Sequence, residues 1–192
     1  MRHTTFWTAV PLVLAAALLT PLAWADAPLP APPTAPAPPV PALARAWPVG
    51  TRPPVLRGWR PPATVYGPGH RGVDLAAPAG SPVRAVAPGR VLFAGRVAGR
   101  GVVSLAVGGT DLRTTYEPVR ASVREGDEVA AGTVVGTLEA GAHCGGAPCL
   151  HWGLLRGGTY LDPLSLLPPW LLNGGPSRLL PVRPDRPAAV SP

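Results

Sequence analysis

Proline restricts the fold of this chain more than any other residue, because it occurs 29 times in 192 residues and is accompanied by 23 glycines. Proline removes a backbone hydrogen-bond donor and glycine has a large entropic cost of ordering, so both disfavour long helices. Short strands and tight turns tolerate both residues. We therefore predict an all-β fold, a compact antiparallel sheet domain with disordered N- and C-terminal segments.

The N-terminal segment is typical of an export signal. Arg2 is followed by an apolar stretch over residues 10–22 and by Ala-Trp-Ala at residues 23–25, a pattern that precedes cleavage sites. The apolar stretch is shorter than the roughly 20 residues that span a bilayer. We therefore predict a signal peptide over residues 1–25 rather than an uncleaved anchor. The mature protein is then secreted, extracytoplasmic and associated with the cell wall, with no membrane span.

Composition divides the mature chain into three further parts. Residues 26–58 begin as a run of Ala and Pro and are predicted to be an extended tether. Residues 59–168 alternate short β-branched runs with Gly and Pro, and we predict one β domain there. The Arg- and Pro-rich residues 169–192 are predicted to form a disordered tail. The candidate strands of the domain are residues 72–76, 82–86, 90–94, 102–107, 112–116, 134–138 and 149–155.

The charge pattern excludes some functions. The net charge is +7, and all 17 basic residues are arginine. These arginines are scattered singly and are not interleaved with aromatic residues, so the pattern does not indicate nucleic-acid binding. Attraction to anionic polymers of a cell wall fits the charge better.

His70 and Asp74 form the first candidate ligand pair. They lie four positions apart in a glycine-rich segment, where a helix is disfavoured. In a straight strand that spacing spans about 13 Å, which is too far for one metal ion. The chain must therefore bend near Gly72 if both side chains are to bind the same ion.

His151 supplies a third candidate ligand. In an alternating strand Cys149 and His151 share one face, and Leu150 and Trp152 point to the core. Two imidazoles and one carboxylate are a recurrent catalytic zinc set, with a fourth position left for water. We therefore expect Zn²⁺ to be bound by His70, Asp74 and His151.

The chain resembles the lysostaphin-like or LytM-type zinc metallopeptidases, metallopeptidase family 23, which hydrolyse peptide cross-links of peptidoglycan. The resemblance rests on Gly-His-Arg-Gly-Val-Asp-Leu-Ala-Ala-Pro at residues 69–78, on the segments at 80–85 and 89–91, and on the turn pattern at 123–136. It implies that His70, Asp74 and His151 are the zinc ligands. It also implies that peptidoglycan or its peptide stems are the partner of the domain.

Two positions depart from the family pattern. The first His of the family's His-x-His is Cys149 here, and Pro118 stands where the other catalytic His follows a strand tyrosine. Proline can neither accept nor donate a side-chain proton, so no catalytic residue is assigned from the sequence. A missing hydrogen-bond donor to the developing oxyanion alone costs about 2.7–4 kcal/mol of transition-state stabilisation.

Three other side chains are candidates for the missing role. Glu117 lies beside the vacant position, but strand alternation predicts that it faces away from residues 116 and 118. His143 lies in the loop before the last candidate strand. Cys149 could bind zinc as a fourth, closing ligand, but we expect it to pair with Cys144 in the oxidising compartment outside the cell.

The sequence leaves two functions open, and excludes a third. The domain is either a metalloendopeptidase acting on wall cross-links, or a catalytically degenerate zinc domain that binds the wall or regulates a wall hydrolase. The turn pattern at residues 126–132 also resembles biotinyl or lipoyl carrier domains. Those domains need a modifiable lysine, and the chain contains none.

Overall fold

The computed structural model describes residues 37–64, 66–140, 144 and 146–173. Over these residues the chain forms antiparallel strands, one 3₁₀ turn, Pro163–Leu166, and one short helix, α1, Pro169–Leu172. The all-β prediction is confirmed. The described residues contain no helix that is long and apolar enough to cross a membrane. The predicted signal peptide, residues 1–25, lies outside the described residues.

Each of the seven predicted strands is present, with ends that differ from the prediction by at most three residues. Four strands were not predicted, namely Val55–Arg57, Val119–Ala121, Glu128–Val129 and Thr159–Leu161. They have only two or three residues each, too few for an alternating pattern to stand out. The strands are β1 Val55–Arg57, β2 Val73–Ala76, β3 Pro82–Arg84, β4 Gly89–Val97, β5 Arg100–Val107, β6 Leu112–Glu117, β7 Val119–Ala121, β8 Glu128–Val129, β9 Val134–Leu138, β10 Cys149–Arg156 and β11 Thr159–Leu161.

The strands form two antiparallel sheets. The larger sheet has the order β1-β2-β10-β6-β5-β4-β8, and β11 pairs with the far end of β10. The smaller sheet has the order β3-β9-β7. Strand β10 therefore lies between β2 and β6 in the sheet. In the sequence, 72 residues lie between the end of β2 at Ala76 and the start of β10 at Cys149.

The core covers one face of β10. Leu150, Trp152 and Leu154 are fully buried, whereas His151 between them is partly accessible. The indole Nε1 of Trp152 donates to the hydroxyl of Thr114 over 2.7 Å, and that hydroxyl donates to the carbonyl of Gly153 over 3.1 Å. These bonds satisfy the polar groups that the aromatic side chain carries into the core, and they tie β10 to β6.

The second half of the predicted tether departs from the prediction. Ala44, Trp47 and Val49 are almost completely buried in the core, and β1 pairs with β2. The indole of Trp47 also donates to the carbonyl of Leu171 over 3.2 Å. Apolar side chains supply this packing. They do not follow the alternating pattern that would reveal a strand in the sequence. Residues 39–58 therefore belong to the folded domain, and residues 26–36 of the tether lie outside the described residues.

The start of the predicted tail is also structured. Helix α1 occupies residues that the prediction assigns to the tail, and Leu171 and Leu172 pack against the core. Residues 174–192 lie outside the described residues.

Burial shifts the pKa of Tyr116 on β6. It is fully buried, and its hydroxyl accepts a hydrogen bond from the backbone N–H of Val86 over 3.3 Å. Burial raises the pKa of Tyr116 from 10.0 to about 12. The neutral phenol is therefore favoured in the folded state, and its contribution to stability is present below pH 10 and is lost as the pH rises toward 12.

We predict that the free energy of unfolding falls by roughly 1 kcal/mol between pH 9 and pH 11, because the unfolded chain loses the phenolic proton first. No lysine titrates in this range, since the chain has none. Urea unfolding at several pH values measures the slope. Tyr116→Phe should be less stable at neutral pH but should show a smaller loss over this range. An equal slope in the variant would contradict the assignment.

Candidate metal centre

His70 lies in the bend that leads into β2. Its backbone pairs with Arg60, and the ring Nδ1 is 2.8 Å from the carbonyl oxygen of Gly58. A carbonyl oxygen can only accept, so Nδ1 donates to it, and Nε2 is the nitrogen through which the neutral ring would bind a metal. The backbone of Gly58 therefore orients the ring and selects the tautomer that is able to bind a metal through Nε2.

Asp74 and His151 are brought together by strand pairing. They lie directly opposite each other in the antiparallel pair of β2 and β10, so their side chains share one face of the sheet. Asp74 is 2% accessible and His70 is 5% accessible, so the carboxylate is buried beside an imidazole. Asp74 and His151 both lie on the face of the sheet opposite the core side chains of β10.

The three side chains converge on one point. The Nε2 of His70 is 3.1 Å from Oδ1 of Asp74 and 3.2 Å from Nδ1 of His151, and that Nδ1 is 2.8 Å from the same Oδ1. The two rings are at 63° to each other, with centroids 4.9 Å apart. The sequence-predicted ligands therefore present two ring nitrogens and one carboxylate oxygen to a shared position.

This donor set fits zinc. Two imidazole nitrogens and a carboxylate oxygen are a known combination for Zn²⁺, at distances of about 2.0–2.2 Å. Tetrahedral ligands at those distances are roughly 3.4 Å apart, so the observed spacings need only a few tenths of an ångström of expansion. The backbone bond to His70 Nδ1 is the outer-sphere contact that zinc-binding histidines usually make. Three protein ligands leave a fourth position open.

Gly72 provides the space in which the site forms. The chain bends at Arg71 and Gly72, immediately before β2 begins. A Cβ at position 72 would overlap the carbonyl oxygen of Trp152 and would lie 2.6 Å from Nε2 of His151. The glycine is therefore required by the close approach of the two segments, as the sequence pattern indicates.

Cys149 and Cys144 are joined by a disulfide, with Cα atoms 6.2 Å apart. Cys149 is 2% accessible and pairs with Ala76 at the end of β2. It lies two residues before His151 on the same face of β10. The sulfur of Cys149 therefore lies near the candidate metal centre and is part of a disulfide bond.

Glu117 lies on the site face of the sheet. It pairs with His151 across β6 and β10, whereas Tyr116 points into the core. As alternation predicts, Glu117 faces away from Tyr116, and the register of β6 against β10 places it on the face of His151. The carboxylate of Glu117 accepts a hydrogen bond from Arg100 over 3.2 Å.

Sequence reasoning missed two contributors to this region. Gly58 acts through its backbone carbonyl, which no residue pattern reveals. Arg100 comes from β5 and meets Glu117 only through sheet pairing. His143, the other candidate from the sequence, lies outside the described residues.

A match to the family model of peptidase family M23 covers residues 68–163. The chain belongs to peptidase family M23. Its match begins just before His70 and ends after β11, so it includes all three converging side chains.

The chain is also similar to individual proteins and to a solved structure. An uncharacterized protein of Mycobacterium tuberculosis is 48% identical over 141 residues, which cover 71% of this chain and 54% of the relative. The DD-carboxypeptidase/endopeptidase Mpg of Neisseria meningitidis is 32% identical over 60% of this chain and 25% of that protein. The chain thus spans about half the length of the first relative, and less of the second. The solution structure of lysostaphin from Staphylococcus simulans matches with a TM-score of 0.51 and 25% identity over 72% of this chain and 60% of lysostaphin.

We predict that Gly72→Ala weakens zinc binding roughly 10- to 100-fold, the usual cost of disturbing the groups that orient a ligand. The added methyl group would push the ring of His151 away from Asp74 and His70. Isothermal titration with zinc measures the change. Gly158→Ala is the matched control, because a Cβ there meets no atom within 4 Å. Equal affinity in both variants would contradict the role of Gly72.

Proposed function

We propose that this protein is an exported, zinc-binding member of the M23 family that binds the peptide stems of peptidoglycan in the cell wall without hydrolysing them. The observation that supports this proposal is a contrast within one site. The three candidate ligands converge within 3.2 Å of one another. Both positions that carry the catalytic imidazoles in the family are occupied by residues without one.

The metal would be held by Nε2 of His70, a carboxylate oxygen of Asp74 and Nδ1 of His151. Zinc bound there would supply a Lewis acid able to polarise a peptide carbonyl or to bind a carboxylate. His70 and Asp74 hold this geometry from buried positions, and Gly58 orients the ring of His70 so that Nε2 faces the metal position. A rigid set of this kind suits recognition as well as catalysis.

Hydrolysis needs a proton acceptor and a donor to the developing oxyanion. Cys149 is held in a disulfide and has no thiol for either role. Pro118 has no side-chain donor or acceptor. Binding without turnover is therefore the function that these residues support best.

A cavity of the described domain offers a place for a wall peptide. It has a volume of about 390 Å³ and is lined on one side by Pro61, Pro62 and Thr64, and on the other by Thr159 and Tyr160. Arg71, the neighbour of His70, adds a positive charge to the wall of this cavity, with its guanidinium 5.8 Å from the ring centre of Tyr160. Peptide stems carry free carboxylates, which a guanidinium and hydroxyl groups bind well.

Other parts of the chain support the proposed export and wall attachment. The N-terminal pattern of residues 1–25 is that of a secretory signal, which the proposal requires. A net charge of +7 favours contact with anionic polymers of the wall. The relationship to peptidase family M23 supports peptidoglycan as the ligand.

Hydrolysis of cross-links is the second candidate function, and one observation favours it. Glu117 shares the face of His151, and a carboxylate there could take a proton from water. In the structure, a guanidinium nitrogen of Arg100 lies 3.2 Å from a carboxylate oxygen of Glu117 and forms an ion pair with it. Turnover would therefore require Glu117 to exchange Arg100 for the reacting water.

We predict that the zinc-loaded protein cosediments with purified peptidoglycan and releases no new amino termini from it. His70→Ala should lower the bound fraction, because it removes a proposed ligand. Release of amino termini by the unmodified protein, abolished in Glu117→Gln, would contradict the binding proposal and would support hydrolysis. Absence of both cosedimentation and release would contradict both functions.

We further predict that Arg71→Gln weakens binding of a soluble stem peptide by at least roughly tenfold, because one charge-assisted hydrogen bond contributes about 1.5–3 kcal/mol. Fluorescence anisotropy with a labelled peptide measures the change. Arg120→Gln is the matched control, since Arg120 is exposed on β7 and its loss changes the net charge equally. Equal weakening in both variants would show a general charge effect and would contradict a specific role for Arg71.

A further inference from the structure

The disulfide lies against the candidate metal centre. The sulfurs of Cys144 and Cys149 and a carboxylate oxygen of Asp74 all lie within 4.8 Å of one another. Asp74 is also shared with His70 and His151, whose ligand atoms meet the same limit. Two overlapping donor sets thus meet at one buried carboxylate.

The chemistry of the second set depends on its oxidation state. A thiolate is a strong zinc ligand, whereas a disulfide sulfur has no charge to offer the metal. A zinc-bound thiolate and carboxylate oxygen are roughly 3.6 Å apart, so the sulfur must approach Asp74 by up to about 1.2 Å and must also turn toward the ring nitrogens of His70 and His151. Rotation about the Cα–Cβ bond of a released cysteine is sufficient for a shift of this size.

Cys149 is better placed than Cys144 to make this bond. It lies on β10 two residues before His151, and strand alternation directs both side chains to the same face. It is buried, and its backbone is held by pairing with Ala76 of β2. Cys144 lies five residues earlier, outside the strand.

We propose that the Cys144–Cys149 disulfide is a redox gate on the metal centre: when it is reduced, Cys149 becomes the fourth zinc ligand and closes the position that a wall peptide would otherwise reach. The inference rests on the proposed metal ligands, His70, Asp74 and His151. Three protein ligands leave a zinc position open, and four close it. The oxidised protein is then competent to bind wall peptide, and the reduced protein is not.

The redox step balances with a dithiol as the reductant. One thiolate of the dithiol attacks a sulfur of the bridge and forms a mixed disulfide, and its second thiolate then releases the other protein thiol. The dithiol loses two electrons and becomes a disulfide, and two protons complete the thiols of Cys144 and Cys149. The proton of Cys149 passes to solvent when its sulfur becomes a ligand.

The test uses cobalt(II) in place of zinc, because a thiolate ligand gives cobalt a sulfur-to-metal charge-transfer band in the near ultraviolet. The full chain is loaded with cobalt as purified, and again after reduction with a phosphine that is removed by gel filtration. We expect the charge-transfer band only after reduction. Zinc affinity, measured by competition with a chelator, should rise in parallel.

Two variants identify the sulfur without requiring a reductant. Both Cys144→Ser and Cys149→Ser remove the disulfide, so each controls for its structural loss. Cys144→Ser should show the band constitutively, and Cys149→Ser should show none in any condition. Circular dichroism establishes that both variants are folded.

The outcomes separate this inference from the proposed function. Cobalt bound in both redox states without a charge-transfer band would overturn the gate and leave the three ligands standing. A band that is lost in Cys144→Ser and kept in Cys149→Ser would also overturn it, because it would assign the wrong sulfur. Failure to bind cobalt in either state would overturn the proposed metal centre itself.

Discussion

The pairing of β10 with β2 on one side and β6 on the other is the interaction on which the whole site depends. It places His151 opposite Asp74 on one neighbour and opposite Glu117 on the other. The same strand buries Trp152 on its opposite face and anchors it through Thr114. Core packing and site geometry are therefore set by one register, and a slip of one residue would turn His151 into the core.

The close approach of backbone segments explains why small residues surround the site. Gly72 allows the bend before β2 to lie against the carbonyl of Trp152 and the ring of His151. The carbonyl of Gly58 orients the ring of His70, so backbone groups contact both imidazoles of the site. The protein combines an intact set of candidate ligands with Pro118 and a disulfide at the neighbouring positions.

Much of the fold was predictable because its signals are local. Seven strands follow from β-branched runs separated by Gly and Pro, and the three candidate ligands follow from residue types and spacing. The four shortest strands were not predictable, since two or three residues carry no period. The packing of Ala44, Trp47 and Val49 was also missed, because a Pro-rich segment shows no alternation even when its apolar side chains enter the core.

The sequence by itself determined the fold class, the family and the three candidate ligands, because each of these depends on residue identity at fixed spacing. Only the tertiary structure decided which face of the sheet Glu117 occupies, which carbonyl orients His70 and how near the cysteine sulfurs lie to Asp74. These relations join segments that are far apart in the chain. They depend on strand register, which a linear pattern does not contain.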